Sequence, residues 1–165
     1  MSIVSLKMSS RKRTTALKFL ETFSTLDSTT NTSLRAPNCR HTIAPMSLGY
    51  TPDMTNEQWV THLEPLKQIL TAFPVTPTEI FEDEGSKQVT VWATSDAVFK
   101  DEVKDDDQSV EWRYQGEYMF VFLFNDDDNK IERILEFVDS RRVLEVRELF
   151  ARAMGNLMAR EKRSL

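Results

Sequence analysis

Cysteine, histidine and glycine are the scarce residues of this chain: one Cys, two His and four Gly among 165 residues. A single thiol rules out an intramolecular disulfide, and with only two His beside it a Cys/His zinc module is nearly excluded. The glycines form neither G-x-G-x-x-G nor G-x-x-x-x-G-K-[ST], so no phosphate-cradling loop is available. No run approaches the roughly 18 apolar residues of a membrane span. Basic charge is also short. Lys and Arg number 21 against 26 Asp and Glu, a net charge of −5 that is the wrong balance for general nucleic-acid binding. One Cys and no secretory hydrophobic region suit a reducing compartment, so a cytoplasmic protein is expected. These exclusions leave a cofactor-free, metal-free domain that meets neither nucleic acid nor membrane.

What is abundant is aromatic and apolar. Ten Phe, three Trp and 40% hydrophobic residues supply a core for one domain of this length. Lys7, Arg11, Lys12, Arg13 and Lys18 crowd the start without an acid, superficially like a transit peptide. Ala16, Phe19, Leu20, Phe23 and Leu26 already fall at helical spacing, so residues 1–10 read as a disordered tail before a helix from Arg11 to about Asp27. The domain is expected over 11–160, with 161–165 a second tail. After a loop with Pro37 comes the short segment Cys39–Ile43. Thr55–Gln58 has capping-box spacing and opens a helix with the stripe Trp59, His62, Leu63, Leu66, Ile69, Leu70 and Phe73. Pro65 should kink or divide that helix.

Beyond Pro74 the period changes to that of strands, over Val75–Asp83, Val89–Phe99, Val110–Phe124 and Lys130–Phe137, with a turn at Glu84–Ser86. Residues 141–160 return to helical spacing, with Arg141 and Arg142 expected to pair with Glu145. Helices ahead of an antiparallel meander imply an α+β domain. Tyr118, Phe120, Phe122 and Phe124 alternate with Met119, Val121 and Leu123, so both sheet faces need cover. The helices cover one face, and a second copy of the sheet is the simplest cover for the other. A homodimer is therefore expected.

Chemistry is sought where polar groups interrupt apolar strands. Tyr114 and Tyr118 share a face with Gly116 between them, a place for a close ligand approach or a bulge. Glu136 lies in Ile134–Val138 among apolar neighbours, where a carboxylate either pairs or has its pKa raised, as general acids and bases do. Each has a plainer reading. The phenols can be packing residues, Glu136 can bridge to a buried Arg, and Arg40 and His41 can be surface residues. His62 on its helix stripe fits a hydrogen-bonded core histidine. Trp92 and Trp112 read as core or rim aromatics, and Asp101–Asp107 as a solvated loop with weak cation attraction at Asp105–Asp107.

Several segments nevertheless resemble one family. They are Cys39–Pro45, Phe73–Val75 with Glu79–Phe81, Val91–Ser95, Tyr114–Tyr118, and Lys130–Ile131 followed by Leu135–Ser140. Together with the element order they are similar to the nuclear transport factor 2-like (NTF2-like), SnoaL-like cone proteins, in particular small fungal members of secondary-metabolite clusters. The resemblance implies a curved sheet wrapped around helices, a ligand cavity in the cone and dimerisation through the outer sheet face. It implies a cofactor-independent isomerase or cyclase, like the meroterpenoid ring isomerases and indole-alkaloid semipinacolases. The motif positions carry Arg40, Tyr114, Tyr118 and Glu136 over as catalytic, with His41, His62, Trp59, Trp92 and Phe120 around the substrate. A scytalone-type dehydratase, which relies on histidine, fits a two-histidine chain poorly. The remaining alternative is a non-catalytic dimeric binding module.

Overall fold

In the computed structural model, which describes residues 10–83, 85–107 and 109–163, helices and one strand precede a meander that a long helix closes. The expected tail lies outside the described residues up to position 9, as does Glu84 of the expected turn. Ser10 caps α1 (Arg11–Glu21), its hydroxyl accepting from the Arg13 N–H at 3.0 Å. The first helix does not continue to Asp27. A short 3₁₀ turn follows, and Leu26 adopts a left-handed conformation (φ 53°) that breaks the path. Asp27 then caps a second helix, α2 (Ser28–Ser33), in the polar run expected only to end the first.

Strand β1 (Arg35–Ala44) is longer than the expected segment at 39–43. The capping box at Thr55 forms as read, and it starts α3 (Asn56–Ile69). This helix runs through Pro65 without division. Pro65 and Thr61 are both exposed, so the Thr61 carbonyl that loses its partner is left to water. Strands β2 (Leu70–Ala72), β3 (Val75–Glu82), β4 (Gln88–Phe99), β5 (Tyr114–Phe124) and β6 (Ile131–Val138) follow, then α4 (Ser140–Arg163). Helix α4 absorbs positions 161–163 of the expected second tail. Arg141 and Arg142 both pair with Glu145, and Arg152 holds Asp105 at 2.7 Å and Asp107 at 2.9 Å, tying the acidic loop to α4.

The sheet order is β1-β6-β5-β4, with β2 and β3 both pairing along β4. Expected as antiparallel, it is mixed, because β1 and β6 run parallel. No hairpin joins these two strands, so nothing local forces them antiparallel. The curled sheet packs α1, α3 and α4 against its inner face. Phe120, Phe122 and Phe124 are buried there with Phe19, Leu20 and Trp59 of the helices. Each such side chain contributes about 1.5–3 kcal/mol relative to exposure. On the outer face Met119 is 37% and Phe137 51% exposed, the apolar second face read from the alternation of β5. No helix among the described residues is long and apolar enough to cross a membrane.

Candidate active site

Three adjacent strands aim their polar side chains at one end of the inner face. On β6, Ile134, Glu136 and Val138 point inward, while Arg133 and Phe137 point out. Glu136 pairs across with Phe120 of β5 and with Ile43 of β1. Tyr118 stands one inward step along β5, and His41 one inward step along β1, opposite Ile134. A chamber of about 80 Å³ opens here, lined by Glu136, Tyr114 and Tyr118 together with Tyr50, Trp59, His62 and apolar residues of the helices.

Glu136 is 8% exposed, and burial pushes its pKa up to about 8, with the Arg35 cation pulling the other way. Burial also raises Tyr118 well above the ordinary phenol value and Tyr114 less far. The Tyr118 hydroxyl accepts from Ser95 Oγ at 3.0 Å and lies 3.3 Å from the Tyr114 hydroxyl. Gly116 is the floor beneath them. A Cβ there would fall 2.5 Å from each phenol oxygen and 2.9 Å from Ser95 Oγ. The space expected for a ligand is thus filled by the tips of the two phenols.

Arg40 does not join this cluster. In a strand, successive side chains alternate, so Cys39, His41 and Ile43 face inward and Arg40 faces out. It is exposed, and among the described residues its guanidinium donates to the carbonyls of Asn38 and Cys39. The arginine of the site is Arg35, which is 3% exposed and is brought inward beyond a shift in the register of β1 between Arg35 and Arg40. Its Nε donates to Asn31 Oδ1 at 3.1 Å and its Nη2 reaches His41 Nδ1 at 3.0 Å. The guanidinium lies 4.9 Å from the Trp59 ring centre and 5.1 Å from that of Phe19. Burial lowers its pKa to about 10, which leaves it charged at neutral pH. Asn31 Oδ1 also accepts from Trp59 Nε1, so α2 fixes both side chains. No alternation signal reaches Arg35 from Cys39 and His41, because the register shifts between Arg35 and Arg40 and Pro37 of the same parity is exposed.

The expected substrate-binding residues divide. Trp59 and His62 line the chamber, their rings stacked 5.5 Å apart, and burial lowers the His62 pKa. His41 is fully buried behind Glu136, stacked on Trp59 at 3.8 Å. Phe120 is core, packed between Tyr118 and Phe122. Trp92 is on the outer sheet face, where its Nε1 donates to Glu117 at 2.6 Å. Tyr50, not anticipated, borders both the chamber and an outer recess of about 520 Å³. It meets His62 edge-on at 5.6 Å, and the Arg147 guanidinium covers its ring at 4.5 Å while donating to the Leu48 carbonyl. Among the described residues no group of three or more His, Cys, Asp or Glu is set to hold a metal ion.

No protein-family model matches the chain. Austinoid biosynthesis cluster protein H of Aspergillus calidoustus is 29% identical over 126 residues, covering 76% of this chain and 81% of the relative. Austinoid biosynthesis clusters protein J of Emericella nidulans is 26% identical over 137 residues, covering 81% of this chain and 77% of the relative. Among solved structures, the BvnE pinacolase of Penicillium brevicompactum superposes with a TM-score of 0.73 at 24% identity, over 87% of this chain and 96% of that one. AusH of Aspergillus nidulans gives 0.67 at 24% identity, over 79% and 84%. The chain is thus similar in sequence to austinoid-cluster proteins of fungi, and its fold is that of the NTF2-like cone.

Proposed function

We propose that this protein is a cytoplasmic, cofactor-independent isomerase or cyclase that rearranges a ring of an oxygenated polycyclic fungal natural product. The observation that carries this reading is Glu136, a buried carboxyl facing a chamber that the paired phenols of Tyr114 and Tyr118 also line, with His62 and Tyr50. With a pKa near 8 it exchanges protons at neutral pH in either direction. In a semipinacol-type step Glu136 takes the proton of a substrate hydroxyl. The oxygen's electron pair closes a carbonyl as the adjacent C–C bond migrates to the neighbouring electrophilic carbon. The displaced pair is protonated by a phenol of Tyr114 or Tyr118, and return of the proton from Glu136 to the phenolate restores the site. A ring isomerisation uses the same groups on a carbon-bound proton, with Arg35 supplying fixed positive charge behind the carboxylate. Such acid/base help is worth roughly 10²–10⁴-fold, enough to direct a reactive intermediate. The similarity to a protein titled a pinacolase and to austinoid-cluster proteins supports the reading.

The inner chamber is small beside the about 300–1,000 Å³ of small-molecule sites. A polycycle would therefore span the chamber and the outer recess, with Tyr50 turned aside. The outer sheet face, with Met119 and Phe137 exposed, would be covered by a second copy of the chain. The tightness of the chamber also favours one competing reading, a non-catalytic dimeric module. A histidine-driven dehydratase is less favoured, since His41 is sealed and only His62 reaches the chamber.

Metabolite profiling of a deletion strain decides between them. Deletion should lose one polycyclic product and accumulate its unrearranged precursor or a shunt isomer. The wild-type gene should restore the product and the Glu136→Gln gene should not. Full restoration by Glu136→Gln would sink the acid/base reading and leave the binding module.

A further inference from the structure

His41 does not line the chamber, yet among the described residues its side chain alone bonds both the buried cation and the buried acid. Its Nδ1 lies 3.0 Å from Arg35 Nη2, and its Nε2 lies 2.9 Å from Glu136 Oε2. A guanidinium has donors and no acceptor, so Nδ1 must be the unprotonated, accepting nitrogen. The hydrogen therefore sits on Nε2 and is donated to Oε2. An imidazolium is excluded by the same contact, because two donors would face each other across 3.0 Å. The contact between His41 and Glu136 has salt-bridge length but is a hydrogen bond from a neutral ring.

The order of donation has a chemical result. Oε2 is engaged as an acceptor, which favours Oε1, the carboxyl oxygen that His41 does not touch, as the seat of a proton on Glu136. The ring itself has no freedom to turn. Trp59 stacks on it at 3.8 Å, and the backbone of His41 exchanges both hydrogen bonds with Met54. Arg35 is fixed in turn by Asn31 Oδ1.

Resting on the isomerase reading above, we propose that His41 is a positioning residue: held by Arg35 as the neutral Nε2–H tautomer, it pins Glu136 Oε2 and confines the transferable proton to Oε1. The titratable and charged groups that face Glu136 are His41 and Arg35 on β1, Tyr114 and Tyr118 on β5, and His62 on α3; of these Arg35 lowers its pKa, and Glu136 in turn raises both phenols. None of the others donates to Oε2. Removal of the Nε2–H donor strips a stabilising bond from the ionised carboxylate, so the Glu136 pKa should move further up.

The test has a substrate-free arm and a turnover arm. In the wild-type protein, nitrogen NMR of His41 should show Nδ1 unprotonated and Nε2 protonated from about pH 5 to pH 9. Carboxyl carbon NMR should show Glu136 titrating at higher pH in His41→Phe, which keeps the ring stack, and returning toward wild type in His41→Gln, whose amide can accept from Arg35 and donate to Glu136. In turnover, His41→Phe should lose about 10²-fold of product formation at neutral pH, the scale on which a misplaced catalytic group is felt, with recovery in His41→Gln. A protonated Nδ1 in wild type overturns the proposal, as does an unmoved Glu136 titration in folded His41→Phe. Should His41→Phe fail to fold, the wild-type tautomer and the His41→Gln titration decide alone. If the tautomer and titrations are as stated but Glu136→Gln still directs the product, the proton placement stands and the isomerase reading fails.

Discussion

The hydroxyls of Tyr114 and Tyr118 meet 3.3 Å apart directly above Gly116, with Ser95 Oγ completing a buried hydroxyl cluster. The glycine is needed for volume and not for backbone freedom. Gly116→Ala should push a methyl into three oxygens that packing holds in place. Overpacking of this kind costs about 1–3 kcal/mol, measurable by urea unfolding, and the displaced phenols should lower product formation as well. Wild-type stability and activity in Gly116→Ala would mean that the cluster is loose.

Arg35 and Arg40 should behave in opposite ways. Arg35→Met leaves His41 Nδ1 without a donor, strips one of the two donors from Asn31 Oδ1 and removes the charge behind Glu136, so a loss of about 1–3 kcal/mol is expected. Arg40→Ala removes an exposed side chain and should stay within about 0.5 kcal/mol with activity kept. Denaturant midpoints of the two variants, together with product ratios for Arg40→Ala, check the pair. A large activity loss in Arg40→Ala would contradict its outward placement.

Stability should depend on pH through two buried groups of opposite sign. Glu136 moves from an ordinary value of 4.5 to about 8 on folding, so between these limits the native state binds more protons than the unfolded one. Its effect is that stability falls as pH rises through the window. His41 is held well below 6.5 by burial and by Arg35, so its contribution is full above 6.5 and is lost as pH falls. Below pH 6.5 the two act in opposite directions, and from there to about 8 the effect of Glu136 is unopposed by His41. Glu136→Gln should therefore gain on wild type as pH rises over that last interval. Parallel unfolding curves for the two proteins would show that the carboxyl is not perturbed.

Tyr50 separates the chamber from the outer recess, and Arg147 holds it from above. Tyr50→Ala should widen the passage, admit water and loosen control over the rearrangement. The expected signature is a broader product distribution at equal or faster substrate capture. An unchanged distribution would remove Tyr50 from the route of entry.

Covering the outer sheet face should take a second copy of the chain. Light scattering at micromolar concentration should give a dimer for wild type and a monomer for Phe137→Asp, whose new charge would sit in the buried interface. A wild-type monomer would mean that Met119 and Phe137 are left to water or meet another partner.

Much of the architecture was legible because it is written in periodicity. The α3 capping box, the two-faced alternation of β5 and the stripes of α1 and α4 all follow from 3.6- and 2-residue spacing. The same rule, applied to Cys39–Ile43, turns Arg40 outward, whereas the resemblance in residue types carries no information on which face a side chain takes. The parallel pairing of β1 with β6 was not legible, because a strand joined by no hairpin takes its direction from distant packing. Nor was α2, whose polar residues carry no apolar stripe and whose start depends on a left-handed Leu26.

The scarcity of Cys, His and Gly determined by itself which chemistries the chain has no residues for, and the apolar setting of Glu136 marked it as a carboxyl of altered acidity. Alternation likewise determined which residues share a face. Only the tertiary structure decided which of two arginines stands behind that carboxyl, that Gly116 seats two phenols, and that His41 is a sealed link instead of a chamber wall. The physical reason is range. Spacing encodes contacts along one strand or helix, whereas the order of donors from Arg35 through His41 to Glu136 spans about a hundred residues and exists only once β1 and β6 lie side by side.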